Sequence, residues 1–249
     1  MQTWPEGYGR RVLGEVDSTN AEAARLSATL AGPTWILAQA QSAGRARRGR
    51  GWVSPIGNFY ATLVMRPEGA TATLALRSFI ASLALSEALE QVSGRVGGFA
   101  LKWPNDVLLN GGKLAGILLE SAGGAGQPSH LCIGIGVNLS HAPDARDLEQ
   151  GALRPVSLVS ETGISVAPLD LLLPLAAAYA HWEQQFRDFG FAPVRAAWLA
   201  RAARLGEVIT ARVGTSRTTG RFETVDADGH LVLSVGGTRV AIPAADVFF

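Results

Sequence analysis

Apolar residues change their spacing several times along this chain. RVLGEV (11–16) and TWILAQAQ (34–41) read as strands. Between them, DSTNAEAARLSATLAG has helical spacing. Thr19 with Glu22 has the form of a capping box, and Gly32 offers a stop. NFYATLVMR (58–66) predicts another strand. From 73 to 93, Leu76, Phe79, Ile80, Leu83 and Leu89 spread over a broad helical face, which predicts a buried central helix. FALKWPNDVLLNGGKLAGILLES (99–121) reads as strand, Asn-Gly turn, strand, and HLCIGIGVNLS (130–140) as a further strand. Helical patterns follow over 168–189 and 192–203. Past Gly206 the runs become short and alternating, separated by Gly, Asp-Gly and Gly-Gly. That texture predicts a small antiparallel barrel or sandwich, with a domain boundary near 203–205.

Composition narrows the class. The chain has 249 residues, 47% hydrophobic and 17% charged, as a folded globular protein requires. Its net charge is +1, so no global field draws nucleic acid or an acidic membrane. Cys132 is the only cysteine, which excludes an internal disulfide. The start, MQTWPEGYGRR, lacks the apolar core of a signal peptide. Apolar runs such as 171–182 contain a proline and are too short to span a bilayer. A soluble cytoplasmic protein is expected.

Against that near-neutral background, GRARRGRGW (44–52) gathers four arginines and three glycines. Glycine leaves backbone N–H groups unobstructed, and arginine supplies a planar, permanently charged fork. Together they suit phosphate or carboxylate. A solvated surface loop and a single-stranded nucleic-acid contact are the alternatives. The familiar nucleotide motifs are missing: there is no GxxxxGK[ST], and GIGVNL (134–139) lacks the third glycine of GxGxxG. No GxSxG occurs, and the histidines at 130, 141, 181 and 230 show no metal-ligand spacing. A second constellation, KWPNDVLLNGGKLAG, holds Lys102, Asn105, Asp106 and Lys113. Ala115 and Gly116 behind Lys113 allow close ligand approach. Plain turn chemistry at Asn105–Asp106 and an exposed hairpin lysine are the competing readings.

These segments, with DSTN before the first helix and GIGVNL, resemble in order and spacing the signature segments of biotin protein ligases. The resemblance covers essentially the whole chain. It implies an α+β fold: a mixed β-sheet with flanking helices, of the class II aminoacyl-tRNA synthetase and biotin ligase type, in residues 1–203. An SH3-like β-barrel in 204–249 would follow. The implied reaction has two steps. ATP and biotin form biotinyl-5'-AMP and pyrophosphate, and the adenylate then acylates a lysine of a biotin carboxyl carrier domain. Magnesium and fixed positive charge would offset the repulsion between two anions. Carried over by position, Ser18, Thr19, Asn20, Gln41, Arg45, Ala46, Arg47, Lys113 and Gly116 resemble the biotin-binding residues. Arg47, Arg48, Trp52, Lys102, Asn105 and Asn138 match adenylate-side positions. Asp106 matches a carboxylate near the metal, and Lys113 and Arg47 are the implied catalytic cations.

Only about ten residues precede the first strand, so the DNA-binding helix-turn-helix of some family members is not expected, and a homodimer lies within the family's range. One departure stands out: Ala46 occupies the place of the family's middle loop glycine. If that position needs φ > 0, alanine costs about 1 kcal/mol. The rival readings are a lipoate or octanoate ligase, an Arg/Gly-loop RNA-binding module, and a biotin-binding regulator without activity.

Overall fold

The computed structural model describes residues 3–66, 71–124, 127–144 and 153–249. Seven strands form one sheet: β1 (Gly9–Val16), β2 (Thr34–Gln41), β3 (Phe59–Met65), β4 (Phe99–Lys102), β5 (Asp106–Leu109), β6 (Gly112–Gly124) and β7 (Gln127–Val137). Their spatial order is β1-β2-β3-β7-β6-β5-β4. β1 and β2 are parallel and all other neighbours antiparallel, so the sheet is mixed as expected. The crossover between the parallel pair is α1 (Thr19–Leu26), which packs on β3 and β7. Ala23 of this helix meets Ile36, Val64 and Cys132 in a small apolar cluster.

The opposite face carries the main core. α2 (Arg77–Ser93) is the buried central helix, with Phe79, Ile80, Leu83 and Leu89 all inside, and Gly94 closes it in a left-handed C-cap at φ 63°. α4 (Pro168–Phe189) begins on a proline at its first turn and lies against α2; α5 (Phe191–Leu199) packs beside both. A buried ion pair, Arg77 to Glu183 at 2.8 Å, ties α2 to α4, and the Tyr179 hydroxyl donates to the same carboxylate at 3.2 Å.

Several boundaries differ from expectation for identifiable reasons. Ser18, not Thr19, is the N-cap of α1, and no side-chain cap bond forms. The Thr19 hydroxyl is instead committed to Gln41, 22 residues away, at 3.2 Å. The helix ends at Leu26, well short of Gly32. The first strand of the 99–121 segment is broken into β4 and β5 at Trp103–Asn105, where the Trp103–Pro104 peptide is cis. Its Asn-Gly turn is as predicted, with Asn110 and Gly111 at φ 50° and 80°. A short α3 (Leu158–Thr162), capped by a Ser157–Ser160 box, was not visible in the pattern.

Beyond α5, β8 (Val208–Val213), β9 (Ser216–Val225), β10 (Leu231–Val235), β11 (Thr238–Ile242) and β12 (Asp246–Phe248) form an antiparallel five-stranded sheet. Its order, β11-β10-β9-β8-β12, leaves two edges, so no closed barrel forms among the described residues. The turn before β10 is joined to the first sheet by the buried Trp103 indole, which donates to Gly229 O at 3.0 Å, and the connection between α5 and β8 is tied to β4 by Leu101, whose N–H and C=O bond Arg201 and Ala203. No helix among the described residues is long and apolar enough to cross a membrane.

Candidate active site

The basic loop, the α1 N-terminus, the hairpin lysine and the last strand converge on one cavity of about 470 Å³. Its lining includes five cations, Arg45, Arg47, Arg50, Lys102 and Lys113, against two carboxylates, Asp106 and Asp246. Every site residue implied by the resemblance except Arg48 lines it, and Ala115, buried behind Lys113, does not. Arg48 is ion-paired to Asp246, which does line the cavity.

One end is a hydrogen-bonding network built on two amide side chains. Gln41 Oε1 accepts from the Thr19 N–H at 2.8 Å, and Gln41 Nε2 donates to the Ser54 hydroxyl at 2.9 Å. Buried Asn20 is oriented at both ends of its amide: Thr62 donates to Oδ1 at 2.6 Å, and Nδ2 donates to Glu120 at 2.7 Å. The same glutamate pairs with Arg45 at 2.9 Å. Thr62 and Glu120 were not picked out from the sequence. Thr62 is the one polar residue among the apolar side chains around it in β3, Glu120 closes the apolar run ILL in β6, and their partners lie 42 and 100 residues away.

Glycines shape the floor. Gly134 faces Asn20, and a Cβ there would run into its carboxamide. Gly136 and Gly116 are cross-strand partners, and the Trp52 indole lies on them. A Cβ at Gly136 would sit 2.6 Å from Trp52 Cε2 and one at Gly116 3.1 Å from Cζ3. Gly116 therefore serves the indole directly. Trp52 Nε1 is buried with no hydrogen-bond partner among the described residues. Lys113 Nζ lies 5.8 Å from the centre of that ring.

The other end is charged. A register shift in the β5–β6 ladder pairs Leu108 with Lys113 and Val107 with Ala115, so Leu114 is the extra, core-facing residue of a bulge. The bulge leaves Lys113 on the cavity side, and the backbone of Arg154 and Val156 clasps it through bonds of 2.8 and 3.0 Å. Lys113 Nζ approaches Asp106 Oδ1 to 2.8 Å, and Lys102 Nζ lies 3.8 Å from Oδ2. Burial pushes the Asp106 carboxyl up, but Lys113 and Lys102 outweigh it and hold the group below the usual carboxylate range. Burial pulls Lys102 and Arg47 below their ordinary values, opposed by Asp106 and Asp246. Arg47 donates to Asn105 Oδ1 at 3.2 Å, and Asn105 is fixed in turn by Ile117 O at 2.6 Å.

The loop itself closes at its neck, where the Trp52 N–H donates to Gly44 O at 2.9 Å and the Ala46 N–H to Arg50 O at 2.8 Å. Ala46 is extended, at φ −125°, so the feared cost of alanine does not arise. The left-handed positions are Arg48 at φ 59° and Gly49 at φ 73°.

The expected metal role of Asp106 meets a different arrangement: both of its oxygens face ammonium groups. Asp246 is likewise held by Arg48 and Arg212. The described lining thus does not fit a protein-built magnesium cage. Elsewhere, Asp226, Asp228 and His230 bring ligand atoms within 4.8 Å of one another. Asp226 Oδ1 there accepts from the Asp228 and His230 N–H groups, a turn-forming arrangement.

Residues 10–138 match the model of the biotin/lipoate A/B protein ligase family. A biotin–[acetyl-CoA-carboxylase] ligase of Paracoccus denitrificans is 54% identical, with 96% of this chain and 99% of that protein covered. A ligase of the same name from Mycobacterium tuberculosis is 32% identical over 95% of this chain and 87% of its own length. Among solved structures, biotin protein ligase from Aquifex aeolicus in complex with biotin and ATP superposes with a TM-score of 0.79 at 26% identity, covering 96% of this chain and 97% of that one. The Leishmania major ligase in complex with biotinyl-5-AMP gives 0.69 at 26% identity, with 96% and 100% covered.

Proposed function

This chain belongs to the biotin/lipoate A/B protein ligase family, and we propose that it is a biotin protein ligase that makes biotinyl-5'-AMP and passes biotin to a carrier lysine. The observation that carries the reading is the division of one cavity into an end built on two anchored amides, Asn20 and Gln41, and an end where Arg47, Lys102 and Lys113 gather around Asp106. Biotin's ureido ring offers both donors and acceptors and suits the first; a carboxylate meeting a triphosphate needs the second.

Each residue then has a task. Ser18, Thr19, Asn20 and Gln41 orient the ureido ring, with Arg45 and Ala46 beside them. The biotin carboxylate attacks the α-phosphorus of ATP, a P–O bond forms, and the bond to pyrophosphate breaks. Lys113 and Arg47 stabilise charge on the α-phosphate and on the carboxylate as these become one anhydride. Positioning supplies much of the remainder. Lys102, Asn105, Trp52 and Asn138 hold the nucleotide, while Arg48, expected on that side from the resemblance, is engaged by Asp246 outside the lining. In the second step the carrier's ε-amine attacks the acyl carbon and AMP leaves. A magnesium ion would come with the ATP phosphates, which it would neutralise, and Asp106 acts instead as the anchor of Lys113 and Lys102.

The carrier is a biotin carboxyl carrier domain of a carboxylase, as the relative's name suggests. We assign 1–203 to the catalytic unit and 204–249 to an SH3-like unit; the antiparallel sheet of β8–β12 supports the latter. ATP-dependent carboxylase biotinylation supports a cytoplasmic location.

The test is exchange of labelled pyrophosphate into ATP. Exchange that requires biotin is expected. Exchange with lipoate or octanoate instead moves the chain to the other branch of the family. Absence of exchange with all three refutes the reading.

A further inference from the structure

We infer that Asp246, on the last strand of the C-terminal sheet, is a positioning residue that latches the arginine loop shut over the charged end of the cavity. Its catalytic consequence rests on the ligase reading; the latch itself rests on geometry.

The loop is held from three sides by different elements. Arg45 reaches Glu120 on β6, Arg47 reaches Asn105 between β4 and β5, and Arg48 reaches Asp246, 198 residues away on β12. The backbone bonds of the loop close only its neck. Its tip is Arg48, in a left-handed conformation that a non-glycine residue adopts at a cost. That cost is tolerated where a fixed partner over-determines the conformation. Asp246 is such a partner. Arg212 of the neighbouring strand β8 already holds it at 3.2 Å, so the carboxylate is oriented independently of the loop.

A carboxylate is a poor neighbour for phosphate. Two guanidiniums neutralise Asp246, which removes that objection while keeping its grip on Arg48. The same strand end also covers Lys102, whose ammonium lies 5.7 Å from the Phe249 ring centre; Arg204 lies 5.2 Å from it on the ring as well. The C-terminal strand is thus a stationary jaw against which the loop closes. A closed loop keeps water from a hydrolysable mixed anhydride between the two half-reactions.

Two variants and their combination test this: Asp246→Asn, Arg48→Gln, and both together. Arg47 stays a trypsin site in all of them, so ligand-free cleavage after Arg47 reads loop opening without any assumption about function. Each single variant is expected to speed cleavage about two- to fivefold, the range for a partly exposed ion pair. The double variant should be no faster than either single one, because one interaction is lost in all three. Added salt should speed cleavage of the wild type more than that of Asp246→Asn, which keeps only the Arg45–Glu120 pair of the two ion pairs. Loss of preformed biotinyl-adenylate should accelerate in the same proportion. Wild-type cleavage rates in both single variants, or additive effects in the double, overturn the latch. If the wild type forms no adenylate at all, the ligase reading fails while the cleavage result still decides the latch.

Discussion

Replacing Asp106 with asparagine removes one charge from a buried group of three. The Asp106 side chain is 10% exposed, Lys102 12% and Lys113 32%, at contact distances of 3.8 and 2.8 Å. Removing one partner of a buried pair costs about 3–5 kcal/mol, because the remaining charge is stranded. Here two ammoniums are stranded and repel each other, but water reaches Lys113, so about 2–3 kcal/mol is expected at pH 7. For a chain of this length, about 2–4 °C per kcal/mol lowers Tm by ~4–12 °C. The pH dependence carries a sign. Burial lowers the Lys102 pKa in the folded protein, and Asp106 raises it in partial compensation. Without Asp106 it falls further, so neutral Lys102 becomes accessible at lower pH. The stability deficit of the variant should therefore shrink as pH rises from 7 toward the unfolded lysine value near 10.4. At the acid end, the depressed Asp106 pKa stabilises the wild type above the unfolded value of about 3.9. That stability is lost as pH falls through the folded one. Thermal unfolding of both proteins across pH 2 to 10 measures all of this. A Tm shift under about 2 °C that does not change with pH would refute the claim that this triad is energetically buried.

Two further outcomes follow from close packing. Gly136→Ala places a Cβ 2.6 Å from Trp52 Cε2 and 2.7 Å from Nε1, so the indole must leave its floor. Overpacking of this kind costs about 1–3 kcal/mol, and we expect it as a rise of roughly tenfold in KM for ATP with altered tryptophan emission; an unchanged KM counts against the placement of Trp52. Cys132 is 1% exposed, and burial pushes its thiol up to about 12. Modification by a chromogenic disulfide at pH 8 should therefore wait for unfolding, and prompt reaction of the native protein would show that β7 opens locally.

How far the sequence could be read depended on where each residue's partner lies. The Asn110–Gly111 hairpin and the helix over 77–93 were legible because period and turn chemistry are local. The basic loop was legible because four arginines in nine residues need a charged partner somewhere. Thr19 marks the limit. Its local pattern, Thr19 with Glu22, called for a capping box, yet the hydroxyl serves Gln41 and sits 2.8 Å from Thr62. A propensity argument weighs only neighbours in sequence, and here two strands brought stronger partners to the same atom. Ala46 shows the same limit from the other direction. A missing glycine suggested backbone strain, whereas the strain lies two residues on, at Arg48, with its compensating carboxylate 198 residues away. The residues that recognise chemistry were therefore visible one by one, while those that aim them (Thr62, Glu120 and Asp246) were not. Aiming requires rigid contacts across strands, and the trace these leave in a single sequence is faint: one polar residue within the apolar run of β3 for Thr62, and no more than the polar end of an apolar run for Glu120.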